Sequence, residues 1–164
     1  MTAPALHSNT TQPTQLMANA IRVLAMDAVQ AANSGHPGGS LGCADFLVAL
    51  YFRQMKISLP FKMDGKNEDL FFLSNGHISP LWYSVLARAG FFPVSELATF
   101  RKLNTRLQGH PATHEGLPGI RMASGSLGQG LSVAIGAATT KKLNKENLRR
   151  RPTELDSNAP QEIR

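Results

Sequence analysis

Residues 121–136, Arg-Met-Ala-Ser-Gly-Ser-Leu-Gly-Gln-Gly-Leu-Ser-Val-Ala-Ile-Gly, restrict the architecture more than any other stretch of the chain. Gly125, Gly128 and Gly130 lie within six positions, and Leu127, Leu131, Ala134, Ile135 and Ala138 then recur at helical spacing, so a bare loop opens directly into a helix. Glycines let a backbone come close to a ligand, and the first turn of a helix offers unpaired N–H groups in a field that favours negative charge. A structural turn needs the same residues. The order G-x-x-G-x-G reverses the dinucleotide fingerprint, no clear strand precedes it, and no Lys-Ser or Lys-Thr follows to make a phosphate loop. Taken alone, the loop leaves both readings open.

Upstream stand Gly35-His36-Pro37, Gly76-His77 and Gly109-His110-Pro111. In each, glycine removes a side chain beside the imidazole, and a following proline biases the histidine away from helix. One such histidine is an ordinary loop residue. Three on separate breaker loops of one small domain point to a shared site, where neutral imidazoles beside a glycine-lined anion site suit proton transfers on a hydroxylated, phosphorylated small molecule. Zinc is the competing constellation. His110 and His114 flank a proline and cannot share a helical face, and neither a cysteine pair nor His-Glu-x-x-His occurs, so no metal ligand is assigned.

Periodicity fills in the rest. Residues 1–15 read as a disordered leader, and 16–33 as a helix carrying Met17, Ala20, Ile21, Leu24, Ala28 and Ala31. His36 then falls on a loop between helices, with Ser40 capping the second, whose stripe runs from Leu41 to Met55 and includes the lone Cys43 as inert core. Residues 59–68 form a polar connection. Leu70-Phe71-Phe72-Leu73 reads as a strand buried on both faces that empties into the His77 loop, before a helix capped by Ser79 with Pro80 in its first turn. That helix ends near Gly90, and Ser95 caps a short one through Phe100. The aperiodic, glycine- and proline-rich segment 104–126 is long enough to be functional. The last helix is expected from Leu127 to about Leu143, and 147–164 as a disordered basic tail. The fold class that follows is α/β, mostly helical with one or a few buried strands, in a single partial domain over 16–146.

The net charge of +6 suggests nucleic acid until it is located: half of it lies in 141–164, with no interleaved aromatic residues. A solvated tail accounts for it, and no nucleic-acid partner is assigned. One cysteine excludes an internal disulfide and fits a reducing compartment; no apolar run reaches membrane-spanning length, so no membrane partner is assigned and a cytoplasmic location is expected.

The runs Ala32-Asn33-Ser34-Gly35-His36-Pro37-Gly38, Leu73-Ser74-Asn75-Gly76-His77, Leu103-Asn104 leading to Gly109-His110-Pro111, and Ser124-Gly125-Ser126-Leu127-Gly128-Gln129-Gly130 resemble, in identity, order and spacing, the start of the diphosphate-binding domain of transketolases. The resemblance covers roughly 16–145. It implies an incomplete thiamine-diphosphate-binding fold and a transferase that moves a two-carbon ketol unit from a ketose phosphate to an aldose phosphate in the pentose phosphate pathway. Carried over position by position, His77 contacts the cofactor diphosphate, and His36 and His110 hold sugar hydroxyls and relay protons. Gly125, Ser126 and Leu127 lie against the aminopyrimidine, Ser126 standing where some relatives have proline. The family's Mg2+ is held by a Gly-Asp-Gly strand end and a later asparagine. No Gly-Asp-Gly occurs in this sequence, and Asp156 and Asn158 lack its glycines and strand. The resemblance therefore implies a truncated or split chain completed by a second subunit or carboxyl-terminal half, and a dimer. The alternative is a catalytically inactive remnant or a protein-interaction module.

Overall fold

A computed structural model describes residues 13–65 and 68–150, with the side chains of 146–150 not included. Helix α1 (Pro13–Ala32) is followed by α2 (Pro37–Gly42), α3 (Ala44–Ala49), a wide turn of helix (Leu50–Gln54), α4 (Ser79–Arg88) and α5 (Gln129–Arg150); short 3-10 turns lie at Gly76–Ile78, Val94–Thr99 and Thr113–Glu115. The leader over 1–12 and the tail from 151 onward fall outside the described residues, and the chain is already helical at Pro13.

Helix α4 is the hub. Every residue from Ser79 to Ala87 is buried, as expected of a helix apolar on all sides. Leu81, Trp82, Val85 and Leu86 pack against Ala18, Ile21 and Ala28 of α1 and Leu47 and Val48 of α3 in one continuous core. Alanines on α1 let the helix axes come close. The indole N–H of Trp82 donates to the Tyr51 hydroxyl at 2.7 Å, satisfying two polar groups that burial would otherwise penalise.

Two expectations are corrected. Among the described residues no β-strand forms, and Leu70-Phe71-Phe72-Leu73 is irregular. Burial on both faces is only partial: Leu73 is buried, Phe71 stacks edge-on against Tyr51 and Trp82, and half-buried Leu70 and Phe72 line a crevice with Ala134, Ala137 and Ala138 of α5. What is lacking is a partner. The segment's polar groups bond to loops instead, through Ser124 Oγ to the Leu73 carbonyl and Gly128 N–H to the Ser74 carbonyl, and a strand exists only by its ladder.

The second correction concerns caps. Ser79 does not cap α4; it is the first helical residue, fully buried, and its hydroxyl leaves the helix for the Gly109 carbonyl. Ser40 likewise lies inside α2, which starts three residues earlier at Pro37 with His36 in the N-cap place. Pro93 rather than Ser95 precedes the next turn. Helix α5 outruns the expected end at Leu143 and continues to Arg150, because its lysines, leucines and glutamate are good helix formers that need no buried face. The long segment 104–126 is irregular as expected, broken only by one 3-10 turn.

Candidate functional site

Three loops bring three imidazoles together. The rings of His36 and His77 meet edge to face with centroids 5.0 Å apart, and those of His77 and His110 with centroids 4.8 Å apart. His77 is the middle of the row. His114 does not join it: its side chain is 79% exposed and its Nε2 lies 3.1 Å from Glu115 Oε1.

Each loop is fixed by a different device. His36 is placed where α1 ends and α2 begins; Asn33 and Gly35 turn the chain with φ of 47° and 142°, and Pro37 starts the next helix. His77 sits in a 3-10 turn capped by Asn75, whose side chain accepts from the His77 N–H at 3.3 Å. The loop before His110 is held by consecutive carbonyls. Leu107 accepts from Arg101 N–H at 2.9 Å, Gln108 from the Tyr83 hydroxyl at 2.9 Å, and Gly109 from Ser79 Oγ at 2.6 Å. Beyond it, the Pro111 carbonyl accepts from Ser124 N–H at 3.0 Å.

The glycine loop closes on the His77 loop from behind. A Cβ on Gly76 would fall 2.0 Å from the Ser124 carbonyl oxygen, so the two backbones are in contact and only glycine fits. Ser74 takes part from the other side: its carbonyl accepts from Gly128 N–H and its hydroxyl from Leu131 N–H, both at 3.2 Å. The first turn of α5 is thus partly capped by the segment that carries His77. Gly125, Ser126 and Leu127 lie exposed on this loop, next to Ser124, and Leu127 is 69% accessible.

The electrostatics favour uncharged imidazole at His110. Partial burial first, then the nearby His77, Arg101 and His36, hold its pKa below the ordinary histidine value. His77 Nδ1 is buried and has no hydrogen-bond partner among the described residues. A buried polar nitrogen left open in this way is satisfied by a bound water or by a ligand atom. Beside the row, Arg101, Gln108, Gly109, His110, Ala112 and His114 line an open cleft of about 540 Å³. Its cationic and imidazole lining suits an anionic, hydroxylated molecule. Among the described residues no three His, Cys, Asp or Glu side chains are grouped to hold a metal ion, and Asp156 and Asn158 lie outside them.

Sequence reasoning brought out the three histidines and the glycine loop but missed four residues that build the site: Arg101, Ser79 in its bridging role, Ser124 and Tyr83. Arg101 leaves no local signal, since a non-glycine φ of +57° is not visible in sequence.

Residues 13–158 match the family model described as transketolase, thiamine diphosphate binding domain. The chain is 46% identical over 127 residues to the transketolase of Buchnera aphidicola subsp. Acyrthosiphon pisum, covering 77% of this chain and 19% of that protein. It is 45% identical over 127 residues to transketolase 2 of Escherichia coli, with the same coverage of each. Among solved structures, a Leishmania mexicana transketolase superposes with a TM-score of 0.70 at 38% identity, over 75% of this chain and 18% of that one. A Pichia stipitis transketolase solved with sedoheptulose 7-phosphate gives 0.67 at 43% identity, over 72% and 17%. The chain therefore spans about a fifth of the length of the curated relatives it matches.

Proposed function

The chain belongs to the transketolase family through its thiamine diphosphate binding domain, and from that premise we propose that it supplies the diphosphate-facing part of a thiamine-diphosphate site for ketol transfer between sugar phosphates. The observation that carries this reading is the histidine row, with the buried, unpartnered Nδ1 of His77 at its centre. Imidazole N–H is a good donor to a diphosphate oxygen, and the described residues offer His77 Nδ1 no other partner.

In this reading His77 holds the diphosphate, and Gly125, Ser126 and Leu127 form the wall for the aminopyrimidine end. His36 and His110, on either side of His77, face the sugar. Kept neutral, His110 can accept a proton from a substrate hydroxyl and return it when the new bond has formed, while His36 donates to a neighbouring hydroxyl. Bound thiamine diphosphate supplies the nucleophilic carbon and the electron sink that no side chain offers. The described residues do not fit a resident Mg2+, and no step is taken through one.

A covering surface for α5 is part of the proposal. On α5, Leu131 is 61%, Ile135 59% and Leu143 53% exposed, a row of large apolar side chains that a carboxyl-terminal half or second subunit would cover. No helix among the described residues is long and apolar enough to cross a membrane. The single half-buried Cys43 supports placement in the reducing cytoplasm, where the pentose phosphate pathway supplies such sugars.

The test is a thermal-shift series with thiamine diphosphate, thiamine and Mg2+, on the chain alone and mixed with a carboxyl-terminal transketolase fragment, followed by a ketol-transfer assay. The proposal expects a rise in Tm with the diphosphate form and not with thiamine, and transfer only in the mixture. No shift and no transfer in either sample would reject it.

A further inference from the structure

We propose that Arg101 is a positioning residue that yokes the His36 loop to the His110 loop, so that the two imidazoles are held on opposite sides of His77. This rests on the reading of His36 and His110 as the groups that face the sugar.

Arg101 touches both loops at once. Its Nη1 donates to Ser34 Oγ at 2.7 Å, two residues before His36 and 67 positions away in sequence. Its backbone N–H donates to the Leu107 carbonyl at 2.9 Å, at the entrance to the His110 loop. The guanidinium then lies flat against Gly109, where a Cβ would come within 2.6 Å of Nε and 2.9 Å of Cζ and Nη2. A side chain before His110 would therefore push the guanidinium aside, so the arginine keeps this place only beside a glycine or after moving. The neighbouring Phe100 is buried, with its ring 5.6 Å from Cζ and within van der Waals reach of the position of Gly35. One dipeptide thus packs against both glycine–histidine pairs.

The backbone supports the same conclusion. Arg101 has φ of +57°, a conformation that disfavours side chains with a Cβ and persists only where surrounding contacts over-determine it. Its Nε is buried without a partner, so the side chain is not held there by saturating its own hydrogen bonds. A salt bridge does not explain its place either, because among the described residues no carboxylate is paired with it. What its position does accomplish is the link between the two loops.

The test uses the full chain labelled at histidine, with two variants. Arg101→Asn keeps a residue that tolerates positive φ and deletes the guanidinium; Ser34→Ala deletes only the acceptor on the His36 side. NMR contacts between the His36 and His77 rings, and between His77 and His110, report the geometry, while the His110 titration reports the nearby charge. His77, His36 and Arg101 are the cationic or titratable groups that face His110. Arg101→Asn is expected to weaken both ring contacts at least twofold and to raise the His110 titration midpoint. Ser34→Ala is expected to weaken only the His36–His77 contact and to leave the His110 midpoint in place. A merely structural arginine would lower Tm without this split. If Arg101→Asn folds and leaves both contacts unchanged, or if Arg101→Asn does not fold and Ser34→Ala leaves the His36–His77 contact unchanged, the proposal is overturned. Cofactor affinity of the parent chain is read separately, so coupled loops without thiamine diphosphate binding would sink the functional reading and spare this one.

Discussion

Ser79 Oγ donates to the Gly109 carbonyl at 2.6 Å, and that bond spans 30 positions to set two histidine loops against each other. His77 lies two residues before the donor and His110 one residue after the acceptor, so the separation of their rings follows from the anchoring of α4. The serine is fully buried. Removing its hydroxyl takes that donor from a part-buried carbonyl at the edge of the open cleft.

Ser79→Ala is therefore expected to cost about 1 kcal/mol of stability, the net worth of one intramolecular hydrogen bond. Urea unfolding measures it, and the His77–His110 ring contact should weaken in parallel.

Gly76→Ala should be damaging for a different reason. The added methyl meets the Ser124 carbonyl oxygen at 2.0 Å, and backbone on both sides must shift. Overpacking of this kind costs about 1–3 kcal/mol. The change should also displace the next residue, His77, and a calorimetric titration with thiamine diphosphate should show affinity lost even where the variant remains folded.

The segment before the His77 loop depends on a buried ion pair. Arg121 and Glu68 are in contact with side chains only 10% and 4% exposed, the guanidinium lies 4.6 Å from the Phe61 ring centroid, and the Glu68 carbonyl accepts from Lys141 Nζ of α5 at 2.8 Å. Breaking a buried pair from one side strands a charge, so Glu68→Ala is expected to cost about 3–5 kcal/mol, and Glu68→Leu combined with Arg121→Met to recover much of that. Chemical denaturation of the single and double variants checks it.

Stability should rise with pH through the histidine range. Unfolded His110 takes up a proton near about 6.5, whereas the folded imidazole, partly buried and beside His77, Arg101 and His36, does so only at lower pH. Between those values the unfolded chain binds more protons, so the contribution is present above about 6.5 and is lost as pH falls below it. As pH falls through this range the parent should lose stability that His110→Asn, which has no titrating group there, keeps.

How far the sequence discloses this arrangement depends on the range of the interactions. The helices, the three histidine loops and the glycine loop are legible because apolar period and glycine–proline breaks are local signals. The strand expected at Leu70–Leu73 is not formed because a strand is defined by a neighbour, and its neighbours are loops and α5. Ser79 resembles a helix cap in every local respect, yet its bond goes to Gly109. Arg101 and the Glu68–Arg121 pair leave no periodic trace, since each joins segments more than 50 positions apart.

The proposed function has His36, His77 and His110 face one diphosphate-bearing cofactor. The most direct measurement is histidine-detected NMR of the full chain titrated with thiamine diphosphate and, in parallel, with thiamine. The diphosphate form is expected to shift the three ring signals together, largest at His77, and to leave exposed His114 in place, while thiamine does little. Signals of His36, His77 and His110 that stay still at saturating thiamine diphosphate, or move no more than His114, would contradict the proposed function.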